Sequence, residues 1–261
     1  VGYNIGKSLA TFGKKPFLSI NHLEGHALSP GLENKMSFPY LLLLISGGHS
    51  QYIIVKDLNN YKQIGTTIDD AVGEAFDKTA KILNLGYPGG PNIEKFAKLG
   101  NKRSYILPEP IINRGGCNLS LAGLKTDILR KSKKVKSKQD KYDLAASFQE
   151  TINKILRKKT EIAMLEFRQK TSNNSTSPFV VAGGVAANET IRKNLKDLSK
   201  KMNFKPIFPS KEFCGDNAAM IAWAGIQRYK KKLFNKKSEI VRSRWPLDSK
   251  APFLKGPGLK L

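Results

Sequence analysis

The sequence predicts a layered α/β fold. Three observations carry that expectation: strand-sized apolar runs such as Tyr40 to Ile45 and Pro178 to Ala182, glycine turns where those runs end, and helical patterns that follow the turns. In an architecture of this kind the ligands are expected at the turns.

Taken in order, the elements begin inside an amphipathic segment, Val1 to Ala10, whose apolar face continues through Ile5, Leu9 and Phe12. There is no initiator Met, so the natural N-terminus is expected upstream. Phe17 to Ile20 is a short apolar run ending at Asn21-His22. Tyr40 to Ile45 and Gln51 to Val55 bracket Ser46-Gly47-Gly48-His49-Ser50 and read as a hairpin around a Gly turn. Tyr61 to Ile68 is a third strand, handing over at Asp69-Asp70, a pair suited to capping, to a helix that reaches about Leu85. Tyr87-Pro88-Gly89-Gly90-Pro91 then reads as a rigid turn able to fold back on Asp77. Leu144, Phe148, Ile152, Ile155, Ile162 and Leu165 mark Asp140 to Lys170 as the longest helix, packed on a sheet. Pro178 to Ala182 is a buried strand that runs into Gly183-Gly184 and a helix from about Asn188, and Asp216 to Tyr229 is a further helix. Arg130 to Lys138 and Thr171 to Ser177 read as surface connectors, the first basic and the second polar.

Composition narrows the classes of function. At 261 residues, 40% of them hydrophobic, the chain can bury one large core or two modest ones. No stretch approaches the roughly 20 apolar residues of a membrane span, and the first residues lack an export signal. Cys117 and Cys214 stand far apart without a Cys-x-x-Cys pair, which points to a reducing compartment, the cytoplasm. Forty-five Lys plus Arg against 21 Asp plus Glu leave a formal charge of +24, suited to a polyanion such as nucleic acid; Lys-biased codon usage is the other explanation.

Several segments carry chemistry. His22 and His26 lie four residues apart, so on a helical turn both imidazoles project from one face and can share a metal. Glu24 points about 200° away from His22, which makes it a poor general base for a zinc peptidase. The turns at Leu44 to Gly48 and Ala182 to Asn188 offer backbone N–H groups without bulky side chains, fit for a phosphate, although each is also what an ordinary turn or helix cap requires. Asp70, Glu74 and Asp77 form one acidic stripe, read either as a solvated face or, at Asp77, as part of a site. Asp216, Gly-flanked at a helix start, could supply a metal oxygen or only a cap. Neither Cys has an obvious His partner, so no covalent nucleophile stands out.

Together these segments resemble the TsaD/Gcp family of tRNA threonylcarbamoyladenosine-modifying proteins. The resemblance rests on Asn21 to His26, Ser46 to Gln51, Ile68 to Pro91, Ser120 to Thr126, Ala182 to Asn188, Cys214 to Ala222 and Arg242 to Leu247, in family order across nearly the whole chain. It implies an actin-like, sugar-kinase-like two-domain fold whose first domain is incomplete here, with residues 1–38 in the first domain and 39–261 in the second, the C-terminal helix and tail returning to the first. It implies transfer of a threonylcarbamoyl group from threonylcarbamoyl-AMP to N6 of the adenosine 3′ of the anticodon, position 37, in tRNAs reading codons that start with A, releasing AMP. His22, His26 and Asp216 would hold iron(II) or zinc; Leu44, Ile45, Ser46, Gly47, Gly48, Asp77, Gly90 and Asn188 would bind the adenylate. TsaB-like and TsaE-like proteins are the implied partners beside tRNA. The family's first Gly-containing hairpin is missing, and Ser50, Gly215 and Leu119 to Ala122 depart from its usual residues. A zinc metallopeptidase and a catalytically silent tRNA-binding fragment are the alternative readings.

Overall fold

The structure is a computed structural model of the 261-residue chain, describing residues 1–172, 175–234, 241–242 and 245–251. At its centre is a five-stranded sheet of β1 (Tyr40–Ile45), β2 (Ser50–Asp57), β3 (Asn60–Thr66), β4 (Ser177–Ala182) and β5 (Phe204–Ile207), in the order β3-β2-β1-β4-β5. β3, β2 and β1 are antiparallel neighbours, whereas β4 and β5 run parallel to β1. Strand side chains alternate between faces. Leu41, Leu43 and Ile45 therefore enter one core and Tyr40, Leu42 and Leu44 the other, and all six are fully buried because helices cover both sides.

Eight helices surround the sheet among the described residues: α1 (Gly2–Phe12), α2 (His22–Leu28), α3 (Val72–Ile82), α4 (Gly89–Ala97), α5 (Ala122–Ser132), α6 (Lys138–Thr171), α7 (Glu189–Lys201) and α8 (Ala218–Lys230). On one face Leu23 and Ala27 of α2 pack against Leu42, Leu44 and Val180, and Ala224 of α8 meets Leu28 behind them. On the other, α3 to α7 contribute Val72, Ile93, Leu124, Phe148 and Ile191 to one continuous core. α1 buries none of its residues, and its apolar face, Ile5, Leu9 and Phe12, is exposed. No helix among the described residues is long and apolar enough to cross a membrane.

Local structure departs from expectation where a distant partner decides it. Asp69 and Asp70 do not cap α3. Its N-cap is Ala71, and its first N–H groups are met by Ser50 Oγ, which accepts from Val72 at 2.8 Å, and by Glu74, which accepts from Ala71. Asp69 instead accepts from the Leu121 and Ala122 N–H groups and so caps α5. Gly89-Gly90-Pro91 is the first turn of α4, not a free turn. Arg130 to Ser132 finish α5 and Lys138 starts α6, so the basic connector shortens to residues 133–137. Along α6 the buried stripe continues through Ala163, Met164 and Phe167, while Leu165 is exposed, because the 3.6-residue period carries it off the core face. The acidic stripe is not a bare solvated face: Lys78 pairs with Asp70 and Glu74, and Lys125 with Asp70. Residues 173–174 of the polar loop, 235–237 of the basic stretch after Arg228, and 243–244 of the Arg242 to Leu247 segment lie outside the described residues.

Candidate functional site

Asn21 fixes the start of α2: its side-chain oxygen accepts from Leu23 N at 2.9 Å, and its amide donates to the Trp245 carbonyl at 2.7 Å. One helical turn then brings His22 and His26 together, rings edge to face with centroids 4.9 Å apart. From far along the chain, Asp216 presents Oδ1 to both, 3.3 Å from His22 Nε2 and 3.0 Å from His26 Nε2. Asn217 does the capping of α8, accepting from Met220 N at 2.8 Å, which releases Asp216 to face the imidazoles. The ligand atoms of the three residues all lie within 4.8 Å of one another.

The donor set fits a divalent ion. Two contacts near 3 Å match the roughly 3.3 Å edge of a tetrahedron with metal–donor bonds of about 2.0–2.2 Å. His26 is buried, and burial lowers its pKa below 6.5, helped by His22 and opposed by Asp216. A neutral imidazole is the form that ligates. The His22 and Asp216 side chains are 52% and 76% exposed, so the cluster opens to solvent on that side. His26 Nδ1 is buried and has no hydrogen-bond partner among the described residues. His49 joins this edge, its pKa lowered by desolvation and then by His22.

Glu24, between the two His, turns the other way. Its buried carboxylate accepts from the Tyr61 hydroxyl at 2.5 Å and from Arg228 Nη1 at 3.0 and 3.2 Å. That engagement leaves it unable to serve as a base at the cluster. In the sequence Tyr61 reads as one strand residue and Arg228 as the start of a basic stretch, and neither signals this contact.

The glycine turns gather at the C-terminal ends of the adjacent strands β1 and β4. β1 and β4 are parallel, Leu44 beside Ala182, so the turns that leave them emerge side by side. Gly183 has φ +94°, and a Cβ there would stand 2.4 Å from the Ile45 carbonyl, so only glycine lets the two turns lie this close. A Cβ on Gly73 would likewise meet the Ser46 carbonyl at 2.6 Å. By contrast Gly47, Gly48 and Gly184 face open space, and within the first turn Ser46 N donates to the His49 carbonyl at 2.8 Å.

The other residues expected at the adenylate are placed as follows. Leu44 and Ile45 are core strand residues whose side chains are fully buried, so only their backbone is available. Asp77 accepts from Gly89 N at 2.8 Å and, with Lys78, Lys81, Asn84, Gly86 and Tyr87, lines a depression of about 430 Å³. Gly90 faces open space. Asn188 is the N-cap of α7, accepting from Ile191 N, and it also donates to Gln149 Oε1, each at 3.0 Å. Cys117 is pushed up to about 12 by burial and by Glu166, and Cys214 is raised by burial against the pull of Arg192. Neither thiol is an activated nucleophile.

The sheet, covered by helices on both faces, has the actin-like, sugar-kinase-like α/β fold. Two HypF crystal structures share the fold: full-length HypF in its phosphate- and nucleotide-bound form, at TM-score 0.61 and 14% identity over 84% of this chain and 37% of that one, and HypF of T. kodakarensis, at TM-score 0.58 and 14% identity over 87% and 39%. The family profile described as TsaD, tRNA N6-adenosine threonylcarbamoyltransferase, matches residues 1–223. Proteins of that name are 57% identical in Pelagibacter ubique, over all of this chain and 73% of that protein, 50% identical in Rickettsia rickettsii strain Sheila Smith, over 95% and 73%, and 47% identical in Zymomonas mobilis, over 100% and 71%. The chain belongs to the tRNA N6-adenosine threonylcarbamoyltransferase family, which implies a divalent metal ion.

Proposed function

We propose that this chain transfers the threonylcarbamoyl group of threonylcarbamoyl-AMP to N6 of adenosine 37, 3′ of the anticodon, in tRNAs reading codons that begin with A. The observation that carries the reading is the meeting of His22, His26 and Asp216, from distant parts of a chain of this family, with His49 of the first glycine turn close enough to feel the charge of His22. These three residues would hold iron(II) or zinc, which supplies Lewis acidity toward a phosphate or carbamoyl oxygen. The backbone N–H groups of Gly47 and Gly48, where no side chain crowds the approach, would take the adenylate phosphate, with Asp77, Gly90 and the start of α7 at Asn188 around the nucleotide. The N6 amine forms the new C–N bond as the carbamoyl C–O bond to AMP breaks, and the amine proton passes to solvent. Since both thiols are buried and raised, attack by the amine itself is the simplest route.

The proposed partners are tRNA and TsaB-like and TsaE-like proteins, and the division of the chain near residue 38 belongs to the same proposal. A peptidase reading has no support, because Glu24 is engaged away from the triad. The test incubates the chain with threonylcarbamoyl-AMP, unmodified tRNA and those partners, then digests the RNA to nucleosides. Threonylcarbamoyladenosine that depends on the chain is expected; its absence while the donor stays intact would reject the activity.

A further inference from the structure

Three basic stretches stand out in the sequence, Arg130 to Lys138, Arg157 to Lys159 and Arg228 to Lys237, and the structure separates them. At residues 157–159 the charge is consumed internally: Arg157 donates to Asn194, Lys158 pairs with Glu161, and the buried Lys159 donates to the Arg114 and Gly116 carbonyls at 2.7 and 3.2 Å. In the last stretch Arg228 is held by Glu24 and Lys231 pairs with Asp57, while residues 235–237 lie outside the described residues. The turn between α5 and α6 behaves differently. Seven of residues 130–141 are Lys or Arg and only Asp140 is acidic. Arg130 and Lys131 share Asp127, but Lys133, Lys134, Lys138 and Lys141 form no ion pair with any described residue.

This corner is also held in place. Val135 packs against the main core, Asp140 accepts from the Lys136 and Ser137 N–H groups at 2.9 and 3.0 Å, and Ser137 Oγ accepts from Asp140 N. A pinned turn presents its charges in one geometry, which lowers the ordering cost of binding. α5 starts at Asp69, just past the end of β3, where Thr66 pairs with Gln51 beside the glycine turn. Eleven residues of helix then separate that start from the corner by roughly 16 Å, at about 1.5 Å per residue.

The geometry points to the α5–α6 corner, Lys133 to Lys138, as a docking surface for the phosphate backbone of a tRNA stem whose loop adenosine lies at the His22–His26–Asp216 edge. This inference rests on the proposed tRNA activity. RNA stems are held largely through their backbones, whereas the bases that are read lie in loops, so a backbone anchor set back from the reacting edge suits such a substrate.

The experiment measures binding of unmodified tRNA by the full chain across a salt series, for three variants. One carries Lys133→Glu, Lys134→Glu and Lys138→Glu; a second carries Gln at the same positions, which guards against misfolding through charge reversal; the third, a control of equal charge change, carries Lys193→Glu, Lys200→Glu and Lys201→Glu on the exposed side of α7. Losing three duplex phosphate contacts should make the log-affinity against log-salt slope shallower by about 2.7, at about 0.9 per contact, in the Glu corner variant and in its Gln counterpart but not in the α7 control. Equal changes in corner and α7 variants would overturn the inference in favour of diffuse positive charge. Unchanged tRNA binding combined with loss of transfer only when protein partners are required would overturn it in favour of an acidic protein at the corner. Nucleoside analysis of the unaltered chain keeps the two ideas apart: corner-dependent binding without product rejects the activity alone, and full product from the corner variants at limiting tRNA rejects the corner alone.

Discussion

Glu24 of α2 and Arg228 of α8 form a buried ion pair at 3.0 Å, and it joins the helix carrying His22 and His26 to the helix that follows Asp216. Tyr61 of β3 completes the cluster by donating to the same carboxylate. Removing one partner of such a pair leaves an uncompensated buried charge, which costs roughly 3–5 kcal/mol. Glu24→Ala is therefore expected to lower the urea midpoint sharply although Glu24 touches no ligand. An unchanged midpoint would show that the pair does not tie α2 to α8.

Asp70 links α3 to α5 through Lys78 at 2.9 Å and Lys125 at 2.8 Å. Burial pushes its pKa up, but the hydrogen bonds from Lys125 and Lys78 more than offset this and hold it below 3.8. A folded value below the unfolded one means that the stabilisation is fully present above about pH 4 and is lost as pH falls through the folded value. Asp70→Asn should thus reduce stability at pH 7 by about 1.5–3 kcal/mol, the range for hydrogen bonds to charged groups, and flatten the acid limb of the stability curve. Denaturant titrations from pH 2 to 7 measure both; an acid limb as steep as that of the unaltered chain would contradict the assignment.

The two kinds of glycine at the ends of β1 and β4 should respond oppositely to bulk. Gly48→Val places its side chain in open space, so the fold should hold while affinity for a stable adenylate analogue falls. Gly183→Val forces a β-branched residue into positive φ and onto the Ile45 carbonyl, and should destabilise the fold itself by more than about 1 kcal/mol. Calorimetry and thermal unfolding together separate these outcomes. Full adenylate affinity in folded Gly48→Val would remove that turn from the site.

Much of the architecture was legible because its signals are local. Tyr40 to Ile45 has the bounds of β1, and Asn188 announced the start of α7. The shared face of His22 and His26, and the direction of Glu24 away from it, follow from helical periodicity alone. What the sequence hid was the choice of partner across long separations. Asp69 was adjacent to α3 and was read as its cap, yet the unmet N–H groups of α5, about fifty residues on, captured it, and Ser50 took its place. Nothing in a linear pattern pairs Glu24 with Arg228, or shows that the Asn188 amide is engaged by Gln149. The stretch at residues 157–159 looked like surface charge until α6 turned Lys159 inward, onto backbone carbonyls.

In the proposed site three residues from distant parts of the chain, His22, His26 and Asp216, share one ion. Metal content by elemental analysis, after purification with iron(II) or zinc supplied, tests it in the unaltered chain and in His22→Ala, His26→Ala and Asp216→Ala, each checked for folding by circular dichroism. One metal per chain is expected in the first. Losing any one ligand should cost more than the roughly 10-to-100-fold in affinity typical of a residue behind a ligand, so the three folded variants should emerge essentially metal-free. Full metal retained by Asp216→Ala would contradict the account, because the two His alone would then be holding the ion without the far end of the chain.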